Sequence, residues 1–371
     1  PKTDSDTRSQ LATQAKTIKQ RLFFDLQKKY SKQHAALTKN LEFFKGVVDE
    51  REDGIFYAEF NQCNTATDRL SSSGMTQTFS QFSKPKSVQF QNMPRVFKRL
   101  FKARSAGGDY VMTETDGSQL EFRVAAFVGQ DTQAMADISD PDFDAHCTSA
   151  AEMVQADYEE FLQEYRAGDK TRKAQRTAAK AHTFKPLFGG TKGTEEEERW
   201  YMAFQQRYEG LYTEQCHWVD KVTANDGTLL TPWGKDFVFQ FRLNQWNGEP
   251  MWGGKSIRPS VFNYPIQSLA TAEIIPIALI YLFHRVRKEG LRVRFVNTVH
   301  DSVIAEVHKD DIEQYKQLAF RAFTTDVYEY LYKRYGIKFN VPLGAEVCAG
   351  THWSEGEEEA VDVQPPTFGD G

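Results

Sequence analysis

Cysteine is scarce and unpatterned in this sequence. Cys63, Cys147, Cys216 and Cys348 are scattered over 371 residues. They lack the paired spacing of a zinc site or a disulfide framework, which fits a reducing, intracellular setting. Long hydrophobic runs are lacking too. The stretch from Ile274 to Phe283 is too short for a bilayer, is interrupted by Pro276 and reads as a buried helix. No secretory signal opens the chain, no repeat divides it, and the expectation is a cytoplasmic protein with no membrane contact. It begins on Pro1 rather than methionine, as an excised portion of a longer protein would. Excess positive charge is absent as well, since the net charge is −5. The distribution matters more than the sum: residues 1–46 carry ten lysines and arginines against four acids. Acids gather at Glu195–Glu198 and in the tail from Glu355 to Asp362, which leaves a basic N-terminal face suited to phosphate.

What is present is a pair of aspartates in suggestive settings. Asp116 lies in Thr113-Glu-Thr-Asp-Gly-Ser-Gln-Leu-Glu121, after an alternating run at Tyr110, Val111 and Met112. Asp301 lies in Val299-His300-Asp301-Ser302, where two β-rich runs meet in a tight polar turn. Each alone is ordinary turn chemistry. Together, at strand edges, two carboxylates can hold two magnesium ions and clamp both oxygens of an in-line phosphoryl transfer. Between them, Arg176, Lys180, Phe184 and Phe188 recur every fourth residue, so one helix would stack two cations and two rings on one face. That face suits a nucleoside triphosphate, with cations on phosphates and rings against sugar and base.

Upstream stand Asn64-Thr-Ala-Thr-Asp-Arg69-Leu-Ser-Ser-Ser73 and Gln91-Asn92-Met-Pro94. With these the chain resembles the polymerase domain of family A, DNA polymerase I-like, DNA polymerases. That family's motifs read TATGRLSS, LQNIP, DYSQIE, RxxxKxxxFxxxYG and VHDE. Asn263-Tyr-Pro-Ile-Gln267 is similar to its N-x-P-x-Q segment, and Glu346-Val-Cys-Ala-Gly-Thr-His-Trp353 to its EVGxGxxW ending. The resemblance runs over residues 40–355 in unbroken order. It implies an α+β, right-hand polymerase fold with an antiparallel-sheet palm, helical fingers and a short helical thumb. The implied boundaries are a truncated thumb at 1–60, palm at 61–125, fingers at 126–262, palm again at 263–355, and an acidic flexible tail at 356–371. A hairpin is expected around Pro232-Trp-Gly234, and a single helix from Ile312 to Tyr335.

The resemblance also implies roles. Asp116, Asp301 and the Gly117 carbonyl would bind two Mg2+ ions, with Mn2+ as substitute. Lys180 would serve catalysis, and Arg176, Lys180, Phe184, Phe188, Gln119 and Glu121 would hold the incoming dNTP, with Glu121 screening against a ribose 2′ hydroxyl. Arg69, Gln91, Asn92, Asn263, Gln267 and His300 would touch primer–template DNA. The implied protein is a monomer working at the nucleoid, of phage type, with an exonuclease or helicase–primase region upstream. Four positions depart from the pattern: Asp68 for glycine, Phe188 for tyrosine, Pro186 inside the motif B helix, and Ser302 for glutamate. The last leaves two aspartates and one fewer negative charge for two dications, unless a nearby acid such as Glu306 supplies it. Asp116-Gly-Ser118 and His300-Asp301-Ser302 also resemble single-subunit phage-type RNA polymerases, and a non-catalytic duplex-binding relative is the third reading.

Overall fold

The computed structural model describes residues 11–12, 14–50, 54–62, 64–74, 90–104 and 108–367. Cys63, Gly107 and the side chains of Ser73 and Asn92 lie outside the described parts. The chain divides into two compact units, residues 1–61 with 71–93 and residues 62–70 with 94–371. Among the described residues, 71–74 and 90–93 thus group with the N-terminal helices.

In the first unit, α1 (Ile18–Ala35) starts at a capping box: the Thr17 hydroxyl accepts from the Gln20 N–H, and Gln20 Oε1 accepts from the Thr17 N–H. No residue of α1 is buried. A π-helical stretch, Ala36–Leu41, leads into α2 (Glu42–Glu50), where Phe43, Phe44 and Val47 are buried. Strands β1 (Ala58–Asn61) and β2 (Ser71–Gly74) pair antiparallel.

The second unit is built on a five-stranded antiparallel sheet. After the short α3 (Arg95–Lys98) comes β3 (Tyr110–Ser118), the middle strand. Helices α4 (Leu120–Gly129), α5 (Thr132–Ser139), α6 (Ala145–Val154), α7 (Tyr158–Arg166), α8 (Lys170–Ala179), α9 (Glu195–Arg207) and α10 (Glu209–Ala224) follow. Asp131, Asp144, Asp157, Asp169 and Thr194 each cap the helix they precede, so five helix starts are written in single side chains. The hairpin of β4 (Thr228–Leu230) and β5 (Asp236–Val238) turns at Pro232-Trp-Gly, as expected, and a meander β6–β8 occupies residues 242–256.

Next, α11 (Arg258–Gln267), a π-helical stretch Ser268–Ile274 and α12 (Ile275–Lys288) form one 31-residue helix. By length and composition it would cross a bilayer, which corrects the expectation that no stretch approaches that size. Here it is a core helix, with Ile266, Leu269, Ile274 and Leu282 buried. Pro265 interrupts its backbone bonding just before the π-helical stretch. Strands β9 (Val293–Val299) and β10 (Ser302–His308) form the Asp301 hairpin. The expected helix 312–335 is instead two, α13 (Ile312–Phe323) and α14 (Thr325–Tyr335). At the break, the Thr324 hydroxyl donates to Phe320 O, and buried Asp326 is gripped by Arg285 at 2.6 Å.

Two last strands, β11 (Leu343–Gly350) and β12 (Glu357–Val363), complete the order β12-β11-β3-β10-β9. The flexible tail expected over 356–371 is thus corrected: residues 357–363 are an edge strand. Its acids obscured it, but Val361 and Val363 pack on the core, Glu359 pairs with Lys316, and charge on an outer strand blocks edge-to-edge association. Arg123, buried on α4, fastens this edge. It donates to the carbonyls of Ser118 and Pro342 at 2.8 Å and to Asp362 at 2.5 Å. Arg123→Ala strands two carbonyls and is expected to cost about 2–4 kcal/mol in urea denaturation. A loss below about 0.5 kcal/mol would mean the edge holds without it. One hydrophobic core joins Trp200 and Val219 of the helices to Val303 and Ala345 of the sheet.

Candidate active site

Asp116 sits near the end of β3, directly opposite Ser302 on β10 and Glu346 on β11. Asp301 occupies the two-residue turn between β9 and β10, where His300 takes a positive φ of 56°. The Gly117 N–H donates to Asp301 O at 3.3 Å, tying strand to turn. Both aspartates are thereby brought to one sheet end. Their carboxyls repel: burial, then Asp301, Glu346 and Glu114, push the Asp116 pKa up to about 8. Burial likewise raises that of Asp301, with Glu114 and Glu346 adding to it and Arg69 opposing. Asp116 Oδ1 is buried without a hydrogen-bond partner.

Crowding of this kind is what a bound cation would relieve. Among the described residues no three His, Cys, Asp or Glu side chains converge as a ready-made metal cage. Magnesium, however, is commonly held by one or two carboxylates with substrate phosphates completing the shell. Two crowded carboxylates and one unpartnered oxygen fit such an ion.

The loop 62–70 brings Arg69 to the same neighbourhood. Asp68 adopts φ 59°, a left-handed conformation that aspartate tolerates better than most residues, which accounts for its standing where the family has glycine. Its carboxylate pairs with Lys235, and Thr67 donates to Gln267 at 2.8 Å. Glu121, in the first turn of α4, hydrogen-bonds Gln267. Burial raises its pKa, while Arg69 and Gln267 pull the other way. Burial, then Arg69 and Lys98, lowers the His300 pKa to about 4, so its ring is neutral at pH 7. Among the described residues seven buried side-chain atoms lack a partner; Arg69 Nε, Asp116 Oδ1, Asn263 Oδ1 and His300 Nδ1 are four of them. Unspent hydrogen-bonding capacity therefore concentrates on residues expected to meet ligand. Gln119, with φ 48°, starts α4 and is exposed.

The expected single helix through Arg176, Lys180, Phe184 and Phe188 is corrected. Helix α8 ends at Ala179, Lys180 caps it, turns follow, and Pro186 begins a 3-10 turn through Phe188. A proline cannot donate to the preceding turn, and its ring excludes a continuous α-helix there. Gly189 ends the segment at φ 75°, where a Cβ would meet Pro259 Cα at 3.1 Å. Arg176 is already engaged, with Asp144 at 2.8 Å and the Tyr165 ring at 4.9 Å. Burial alone would raise the Asp144 pKa, but the Arg176 hydrogen bond brings it below the usual value. Lys180 is exposed. Phe184 lies 5.1 Å from Phe122, the neighbour of Glu121, and Phe188 packs on the core.

Sequence reasoning missed three residues. His146 lies 6.2 Å from the Phe184 ring, feels the charges of Arg176 and Lys180, and bonds Thr183 through Nδ1 at 2.9 Å, which leaves Nε2 spare. Burial, with those cations, lowers its pKa. Glu114 and Glu346 flank Asp116, and strand alternation was the signal for the first of them. Glu306 does not supply the charge missing at Ser302, since Arg104 and Arg294 each bridge it at 3.2 Å. In the first unit, Gln91 spends its amide oxygen on the Ser72 N–H at 3.0 Å. A surface cavity of about 690 Å³ lined by Arg242, Trp246 and Trp252 holds none of the expected site residues.

A sequence model of DNA polymerase family A matches residues 1–355. DNA polymerase I of Pseudomonas aeruginosa is 26% identical over 319 residues, covering 81% of this chain and 30% of that protein. DNA polymerase I of Aquifex aeolicus is 25% identical over 308 residues, 78% of this chain and 46% of its own length. The thermostable DNA polymerase I of Thermus filiformis is 27% identical over 322 residues, 82% of this chain and 33% of its own. The chain thus spans less than half the length of these relatives. The POL domain of Pol1 from M. smegmatis, solved in complex with DNA primer-template and dNTP, shares the fold: TM-score 0.65 at 22% identity, covering 95% of this chain and 56% of that one. The α+β architecture with its antiparallel sheet and the family match agree: this chain belongs to DNA polymerase family A.

Proposed function

We propose that this chain is a DNA-templated DNA polymerase domain that extends a primer 3′ end and releases pyrophosphate. The observation that carries this reading is the meeting of Asp116 and Asp301 at one sheet end, with Arg69, Glu121, Gln267 and His300 around them. Asp116, Asp301 and the Gly117 carbonyl would hold the divalent ions. When bound, such ions supply the charge that activates the primer hydroxyl and neutralises the departing pyrophosphate. Lys180, Arg176 and the spare nitrogen of His146 face the triphosphate. Neutral His300, Asn263 and Gln267 offer hydrogen bonds to the minor groove, whose acceptors are alike for every correct pair and so report geometry rather than sequence. The partners proposed are primer–template DNA and dNTPs, and the setting a cytoplasmic replication site.

Primer extension with deoxy- and ribonucleotides tests this. Extension with dNTPs supports it; extension with ribonucleotides alone would favour an RNA polymerase, and none at all a duplex-binding relative. Glu121 would supply the discrimination: buried, tied to Gln267 and in the field of Arg69 and Asp301, it would screen a 2′ hydroxyl beside the metal site. Stranding that hydroxyl costs about 1–3 kcal/mol, so Glu121→Ala is expected to raise ribonucleotide use about 10- to 100-fold. Unchanged selectivity would remove Glu121 from the sugar.

A further inference from the structure

The negative charge absent at Ser302 has a counterpart on the neighbouring strand. Glu114 precedes Asp116 by two residues on β3, so both side chains leave the same face of the sheet. Its carboxylate is fixed from three sides. Lys98 Nζ bonds Oε1 at 2.9 Å, Ser354 donates to Oε2 at 2.9 Å, and the Ser302 hydroxyl lies 3.3 Å from Oε1. Lys98 is itself seated over the Trp353 ring at 4.7 Å. Serine at 302 is thus the small residue that lets the Glu114 carboxylate lie against β10. Of the other acids nearby, Glu306 is neutralised by two arginines, while Glu346, opposite Asp116 on β11, also acts on both aspartates but shares a hydrogen bond with Glu358. Glu114 acts on both Asp116 and Asp301.

We propose that Glu114, from outside the ligand set, supplies to the divalent-ion site from β3 the negative charge that Ser302 does not supply from β10. It acts as a positioning residue, through space, while Lys98 partly offsets its charge. The inference rests on the reading of Asp116 and Asp301 as metal ligands. A unit charge about 7 Å away, partly screened, changes cation affinity by about a factor of ten.

Binding of Mn2+ alone to the full chain, titrated by electron paramagnetic resonance without nucleotide or DNA, tests it. Asp116→Asn is the control for the underlying reading: if it leaves Mn2+ affinity unchanged, the metal site itself is misassigned. With that control passed, Glu114→Gln is expected to weaken Mn2+ about tenfold. The amide keeps the size of the glutamate and an accepting oxygen for Lys98, and the Ser354 hydroxyl can turn to accept from its NH2, so a purely structural role would leave affinity alone. Lys98→Gln is expected to tighten Mn2+ severalfold, and serves should Glu114→Gln not fold. Ser302→Glu is expected to restore affinity in the Glu114→Gln background and to add little in the wild type, where the two carboxylates would collide. Wild-type affinity in both Glu114→Gln and Lys98→Gln, or in Lys98→Gln alone if the other does not fold, would overturn the proposal.

Discussion

Asp116→Asn is expected to lower single-nucleotide incorporation by about 10³-fold or more, while primer–template affinity changes by no more than about twofold. Losing a ligand removes several kcal/mol of transition-state charge stabilisation, whereas duplex affinity comes from phosphate contacts spread over many cations. The same substitution should act oppositely on the fold. In metal-free protein burial and the carboxylates of Asp301, Glu346 and Glu114 push the Asp116 pKa up from 3.8 to about 8. The folded state then binds the more protons between those values, so stability falls as pH rises from about 4 through about 8. Asparagine carries no such penalty. Melting curves in chelator from pH 5 to 9 should therefore fall for the wild type and be flatter for Asp116→Asn. Incorporation at wild-type rate by the variant would end the two-aspartate assignment, and parallel melting curves would mean that the crowding is relieved in solution.

How much of this site was legible depended on how locally each part is encoded. Asp116 and Asp301 were visible because each lies in a string whose neighbours fix its backbone, a strand end and a two-residue turn. Asp68 reads as a departure until its φ of 59° is known; the backbone demand persists while the residue that meets it changes. The five capped helix starts were equally local, since each rests on one side chain reaching two or three residues ahead.

The failures were non-local. Arg176 and Asp144 lie 32 residues apart in sequence, and no periodicity announces their pairing. Glu346 meets Asp116 only because β11 pairs with β3 in one register, which strand spacing alone does not dictate. Composition misled at β12, where Glu357–Glu359 look like a solvated tail although Val361 and Val363 carry the inward face. Periodicity misled at motif B, where a four-residue repeat suggested one helix, but α8 ends at Ala179 and Pro186 opens a separate 3-10 turn. The long helix 258–288 was undervalued for the opposite reason: Pro276 was read as an interruption, yet it falls in the first turn after a π-helical stretch, where a proline is accommodated.

Lys180→Ala is expected to lower the maximal incorporation rate by about 10²–10³-fold, with little change in primer–template binding, because in the proposed role its ammonium would meet charge that grows during transfer. Arg176→Ala should differ in kind. Its guanidinium already spends a hydrogen bond and an ion pair on Asp144, so it reaches a triphosphate only by exchanging one anion for another. Its loss should raise the KM for dNTP about tenfold, leave the maximal rate within a fewfold, and weaken the fold by about 1–2 kcal/mol through the unpaired, half-buried Asp144. Asp144→Asn separates these effects. Asparagine caps α6 as well as aspartate does, accepting from the N–H groups of His146 and Cys147, but holds Arg176 without charge. Freed of that competitor, Arg176 should bind the triphosphate more readily and KM should fall severalfold. A KM that rose instead would mean that Asp144 aims Arg176 at the nucleotide rather than withholding it.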